Sequence, residues 1–229
     1  MGLVQSNGAT NDGSATSISV AFLSDVTAGS RMVAGISFGT APRNLPTSVA
    51  DSQGTTWTLV DSSDDSTASQ NQATYEALAK QTGACTVTVT WGESHAFRRI
   101  VIAEISGTTT RDQHGISAPA VATTATNNVT SPSVTTTHDS QTVVGIVMDT
   151  SGAATETAGT GYTKQQGVGE LALETKTQTT KGAVAATWTF SAADRYVAAI
   201  ITYYAASASR HKALSIAPSI APSIASSVK

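Results

Sequence analysis

Cysteine is nearly missing from this chain: Cys85 is the only one in 229 residues. That excludes a disulfide framework and any thiolate metal cluster. Charge is also scarce, with 13% Asp, Glu, Lys and Arg, about half the usual share. The 13 basic residues do not cluster with aromatics, so no nucleic-acid partner is expected. No stretch is long or apolar enough to span a membrane, and no membrane partner is expected. The opening MGLVQSNGATNDGSATS has neither a basic n-region nor an apolar core, and is not expected to act as a secretory signal. No ten-residue window carries a capped helical stripe.

What is present is threonine and serine. Together they make up roughly 28% of the chain, and Thr is β-branched and suits a half-solvated pleated surface. Short alternating runs separated by turn clusters predict an all-β, antiparallel two-sheet β-sandwich of jelly-roll type with extended N- and C-terminal arms. The expected strands are Ser17–Phe22, Arg31–Phe38, Thr55–Val60, Ala73–Lys80, Ala84–Trp91, Phe97–Ser106, Gln141–Asp149, Glu170–Gln178, Ala183–Phe190 and Arg195–Tyr204. Residues 1–16 read as an N-terminal arm, 17–205 as the sandwich, and 206–229 as a C-terminal arm. Thr108 to Thr137 reads as a long connection with one or two irregular strands.

Face assignment adds a prediction about cover. The runs Arg99–Ile105, Val143–Met148 and Tyr196–Ile201 are apolar on both faces. They should be central strands, covered on both sides or by a neighbouring subunit. By the same period-two test Trp91 shares a face with Val87 and Val89, Trp188 with Val184 and Phe190, and Tyr75 with Ala73, Ala77 and Ala79, so these aromatics are expected in the core. Cys85, on the face of Val87, is expected there too. Trp57, flanked by Thr56 and Thr58, and Tyr162, in a glycine-rich turn, fall outside the test. They are the candidate glycan contacts, because exposed aromatics can stack on sugars.

The segments Asp51-Ser-Gln-Gly-Thr-Thr-Trp-Thr-Leu-Val60, Ala73-Thr-Tyr-Glu-Ala-Leu-Ala-Lys80, Cys85-Thr-Val-Thr-Val-Thr90, Ile102-Ala-Glu-Ile-Ser-Gly107 and Gly159-Thr-Gly-Tyr-Thr163 follow one another in order. Glu174, the step Gly182-Ala-Val-Ala-Ala186 and a final apolar strand close the series. Over roughly residues 15–205 the order resembles a domain family of bacteriophage structural proteins and bacterial surface and secreted proteins, mostly of unknown function. The resemblance implies a jelly-roll sandwich, and its phage members resemble capsid-decoration or tail-accessory proteins. It implies no catalytic residues and no cofactor.

Other chemistry is thin. Asp61-Ser-Ser-Asp-Asp-Ser66 offers three carboxylates but lacks the glycine and distal glutamate of an EF-hand, so it reads as a solvated acidic turn. His95, His114, His138 and His211 have no metal-spaced partner, and no metal is expected. A Ser-His-Asp site built on His138-Asp139 or Asp112-Gln-His114 would lack the Gly-x-Ser-x-Gly elbow, and the chain is not expected to be an enzyme. Glu104, in an apolar strand, is expected to pair with Arg98, Arg99 or a neighbouring strand.

The end of the chain is a three-fold repeat, Ser215-Ile-Ala-Pro218, Ser219-Ile-Ala-Pro222, Ser223-Ile-Ala-Ser226. Pro218 and Pro222 exclude a regular helix, and each unit presents one isoleucine: Ile216, Ile220 and Ile224. These five residues are the expected subunit or partner contacts. An assembly-type β composition without an export signal fits a virion protein released by lysis, or a mature secreted fragment; the alternative function is a carbohydrate-binding or adhesion module. The expected partners are other virion proteins and further copies of the chain.

Overall fold

The computed structural model describes residues 1–39, 44–107, 109–117, 126–152 and 154–206, and every regular element among them is a β-strand. The first half of the chain holds β1 (Leu3–Asn11), β2 (Ala15–Ala21), β3 (Arg31–Gly39), β4 (Ser48–Asp51), β5 (Thr58–Asp65), β6 (Gln70–Leu78) and β7 (Thr86–Ile105). In β7 the alternation Thr-Val-Thr-Val-Thr-Trp buries Val87, Val89 and Trp91 and turns Thr86, Thr88 and Thr90 outward, as period-two geometry requires. Two strands were expected here. The chain instead runs through as one 20-residue strand, passing from one sheet to the other around Gly92 to Phe97. Its first part pairs with β2 and β4 to form an outer sheet. Its second part joins an inner sheet of order β1-β7-β3-β6-β5. The two sheets form an antiparallel β-sandwich, with β5 hydrogen-bonded beside β6 in the larger one.

The second half repeats the strand order of the first and adds one short two-stranded ladder. It holds β8 (Thr109–Ile116), β9 (Thr126–Thr130), β10 (Val134–Thr135), β11 (Gln141–Asp149), β12 (Glu156–Ala158), β13 (Thr163–Val168), β14 (Leu171–Gln178), β15 (Ala183–Val184), β16 (Thr187–Asp194) and β17 (Tyr196–Ala205). Its inner sheet runs β8-β17-β11-β14-β13 and its outer sheet β12-β16-β9. Each matches the first half when β1 is set against β8, β3 against β11, β5 against β13, β6 against β14, and the two parts of β7 against β16 and β17. Irregularities coincide as well. A bulge lies between Leu59 and Asp61 on β5 and between Lys164 and Gln166 on β13. Gly83 and Gly182, at φ 144° and 152°, each accept a backbone hydrogen bond, from Val26 and Thr136 respectively. The antiparallel sandwich expected from the alternation is therefore formed twice in one chain.

The two inner sheets pack face to face, so the described residues form four layers with three cores. One core, with Met32, Ala34, Ile36, Phe38, Val87, Val89 and Trp91, fills the first sandwich. Another, with Val143, Val147, Ala186, Trp188 and Phe190, fills the second. Between them Val33, Val101, Ala103 and Ile105 meet Val144, Ile146, Met148, Leu173, Val197 and Ile201. The doubly apolar runs are thus central, and their second cover is the other half of the same chain. Packing across this seam is reciprocal: β1 lies against β13, and β5 against β8. Since β13 is the counterpart of β5 and β8 of β1, each half offers the same surface to the other, as in an isologous dimer interface.

Three expectations need correction. Residues 1–16 are not an arm: β1 pairs with β7 from Ile105 to Arg98 as an edge strand of its own sheet. Its Gly, Asn and Ser content hid it, because its backbone ladder supplies the bonding and β13 covers its face. The stretch Thr108 to Thr137 is not merely a connection, since β8 is a full edge strand paired with β17. The body 17–205 is two sandwiches, not one, with only residues 106–108 between β7 and β8. The C-terminal arm expected over 206–229, with Ile216, Pro218, Ile220, Pro222 and Ile224, lies outside the described residues beyond Ala206.

Candidate functional site

The inner faces are apolar in the middle and charged at both ends. At one end the Glu76 carboxylate on β6 receives Arg31 Nη1 at 3.5 Å and Arg111 Nη1 at 3.1 Å, and Tyr203 Oη donates to it at 2.8 Å. Arg31 also donates to the Thr109 carbonyl at 2.7 Å. Glu76 and Arg31 belong to the first half, Thr109, Arg111 and Tyr203 to the second, so the cluster ties the halves together. Burial and the neighbouring Glu76 charge push the Tyr203 hydroxyl well above its ordinary range. Nearby, Asp61 on β5 meets His114 Nδ1 on β8 at 2.7 Å.

The opposite end joins β7 to the turn between β13 and β14. Arg99 is 5% exposed; its Nε lies 2.8 Å from Glu170 and its Nη2 2.6 Å from Asp12. Asp65, at the end of β5, bonds Arg195 from the second half. Gly169 is required here: its φ is +56°, and a Cβ would stand 2.2 Å from Arg99 Nε. Burial raises the Glu170 carboxyl, with Arg99 pulling the other way. Asp149, buried near Glu156 and Asp194, is pushed up to about 7.

At this end an open cavity of about 360 Å³ is lined by Asp12, Gln70, Phe97, Arg99, Ser151 and Glu170, among others. A second depression shares Gln70 and Phe97 and adds Gly39, Ala68, Ser69 and Ala96. Phe97 separates the two as a half-exposed ring. Its φ is +51°, and that of Ser69 is +56°; for a bulky side chain this is a true outlier. Among the described residues, the Oε1 atom of buried Glu170 and that of Gln70 have no hydrogen-bond partner. Sequence reasoning missed this groove. Its one trace is Phe97-Arg98-Arg99, an aromatic and two guanidiniums at the head of an apolar strand.

The residues singled out from sequence are dispersed. Trp57 and Tyr162 precede the counterpart strands β5 and β13, on opposite sides of the four-layer body. Trp57 packs on the first core and donates Nε1 to Asp51 at 2.9 Å. Tyr162 packs on the second half's own core, donates to the Ala185 carbonyl at 2.7 Å, and has Lys176 Nζ 4.7 Å above its ring. They form no common platform. His138 stacks on Tyr204 with ring centres 3.7 Å apart, and its Nδ1 meets the Thr137 hydroxyl at 2.9 Å. Asp112 is pulled up by burial, but hydrogen bonds from Gln141 and Thr137 outweigh this and hold it below its ordinary value.

One further reading is corrected and another is met in part. The run Asp61 to Ser66 is no solvated turn: Asp61 to Asp65 are strand residues, and Asp61 and Asp65 bridge to the second half. Among the described residues Glu104 pairs with neither Arg98 nor Arg99; fully buried, it accepts hydrogen bonds from Gln5 Nε2, on the neighbouring strand β1, at 2.7 Å and from the Thr27 amide at 2.8 Å. Arg98 instead caps the Ser17 and Gly13 carbonyls. Cys85, Trp91, Trp188 and Tyr75 are core residues as expected, and burial pushes the Cys85 thiol up to about 11. Compared with protein-family models, curated proteins and solved structures, the chain matches none.

Proposed function

We propose that this protein is a non-enzymatic structural component of a virion, a capsid-decoration or tail-accessory protein that assembles with other virion proteins and with copies of itself. The observation that carries the reading is where its reactive side chains go. Glu76, Asp61, Asp65, Asp112, His114 and Arg99 each tie their strand to another segment of the fold by an ion pair or hydrogen bond, which favours rigidity over turnover. The last strand, β17, ends at Ala205. Ten residues further on begins the Ser-Ile-Ala-Pro repeat, whose three isoleucines suit successive pockets of a neighbour. An isoleucine buried on association is worth about 1.5–3 kcal/mol before ordering costs.

Light scattering on the full chain and on one stopped after Ser209 tests this. The expected result is an oligomer that dissociates on truncation while the thermal transition of the body stays put. Equal masses for the two chains would remove the tail from assembly and count against the reading.

A further inference from the structure

We infer that the groove around Phe97 is a binding site for a neutral saccharide. This goes beyond the proposed structural role and does not depend on it. The groove combines the three things a sugar needs. A pyranose has an apolar face of axial hydrogens, and the half-exposed Phe97 ring offers a surface for it to stack on. Its adjacent hydroxyls need paired donors and acceptors. Arg99, Asp12, Gln70, Ser151 and Glu170 line the cavity and supply both donors and acceptors. The volume of about 360 Å³ holds one or two sugar rings. Charge sets the class: one guanidinium faces two carboxylates, so an acidic sugar meets net repulsion.

The second half fills the equivalent positions differently. In the registers of β7 and β17, Ile102 and Ile200 are counterparts opposite Ala34 and Gly145. Arg99 then corresponds to Val197, and Phe97 falls in a register shift of β7 against β3 that β17 does not show against β11. Val197 packs into the seam. The same position in the same fold is therefore satisfied by an ordinary apolar residue. The first half carries instead a buried guanidinium with its carboxylates, and a phenylalanine held at positive φ. Strain of that kind persists where the surroundings impose it, and it concentrates at ligand sites. The Arg99–Glu170 pair also fixes the groove's floor, because Gly169 yields space that any side chain would take.

The discriminating variant is Phe97→Gly. Glycine adopts φ +51° freely, so this change relieves the backbone while deleting the stacking surface. A printed array of neutral glycans, followed by saturation-transfer NMR with methyl glucoside, methyl galactoside, methyl mannoside and methyl N-acetylglucosaminide, reads binding by the full chain. The expected outcome is saturation transfer from the protein to one face of a bound sugar. Phe97→Gly should weaken it about tenfold or more with an unchanged or higher melting temperature. Gln70→Ala should weaken it too, without changing the oligomeric state. No binding by the natural chain to any of these glycans would overturn the inference. So would binding that survives Phe97→Gly but disappears in Trp57→Phe. Loss of assembly on tail truncation is read in a separate experiment and cannot mimic either result.

Discussion

Glu174 shows how a single side chain sets the conditions under which the fold is tightest. It takes the place that Tyr75 holds in the first half, is fully buried, and accepts from the amides of Gly159 and Thr187 at 3.2 Å each. Burial outweighs those bonds and pushes its carboxyl up to about 8. Asp149 is pushed up to about 7 for the same reason. Both acids therefore bind a proton more tightly folded than unfolded, and stability falls as pH rises through their folded values. Asp51 and Asp112 act in the opposite sense, since hydrogen bonds hold both below their ordinary value despite burial, and their contribution is lost in strong acid. The urea midpoint should accordingly peak in mild acid and decline toward about pH 8. Glu174→Gln should flatten that decline; an unchanged slope would show that the carboxyl is ionised in the folded state.

Strand-level consequences centre on Glu76, where β3, β6, β8 and β17 meet. Glu76→Ala strands two arginines and a tyrosine hydroxyl at a buried site, and should cost about 3–5 kcal/mol in chemical unfolding. In an Arg111→Met background the cost should be smaller, because one of the orphaned charges is gone. The strands themselves were legible where alternation was strong: Gln141–Asp149 is recovered at its bounds, and the three doubly apolar runs were placed centrally. Edge strands were not. The strands β1, β8 and β13 carry Gly, Asn, Gln and Thr because backbone pairing and a covering neighbour hold them, and polar composition reads as loop. The duplication was hidden for a related reason. Gly83-Ala84 and Gly182-Ala183 lead into strands that share Thr88 with Thr187 and Thr90 with Thr189. The more obvious likeness, Val33-Ala-Gly-Ile36 with Val143-Val-Gly-Ile146, is one residue out of structural register, since the sheets set Ala34 against Gly145. The groove was illegible because it depends on Asp12, Gln70, Phe97 and Glu170 meeting across four separate segments.

At the scale of the molecule, the seam between the inner sheets is a core and not a domain contact. Val33, Val101, Ile146, Leu173 and Tyr203 are buried to 1% exposure or less there, which a loose interdomain interface does not achieve. The chain should therefore unfold in one transition. Replacing residues 106–108 with a protease site and cutting it should leave the two halves eluting together in size exclusion. Separate elution under native conditions would mean that the seam contributes little. The same seam has a cost in time. During synthesis the first sandwich is complete at Ile105, but the side chains that cover its inner sheet extend to Tyr203. At ribosomal speed that interval is roughly 5–20 s, during which an apolar sheet face stands open in the cell.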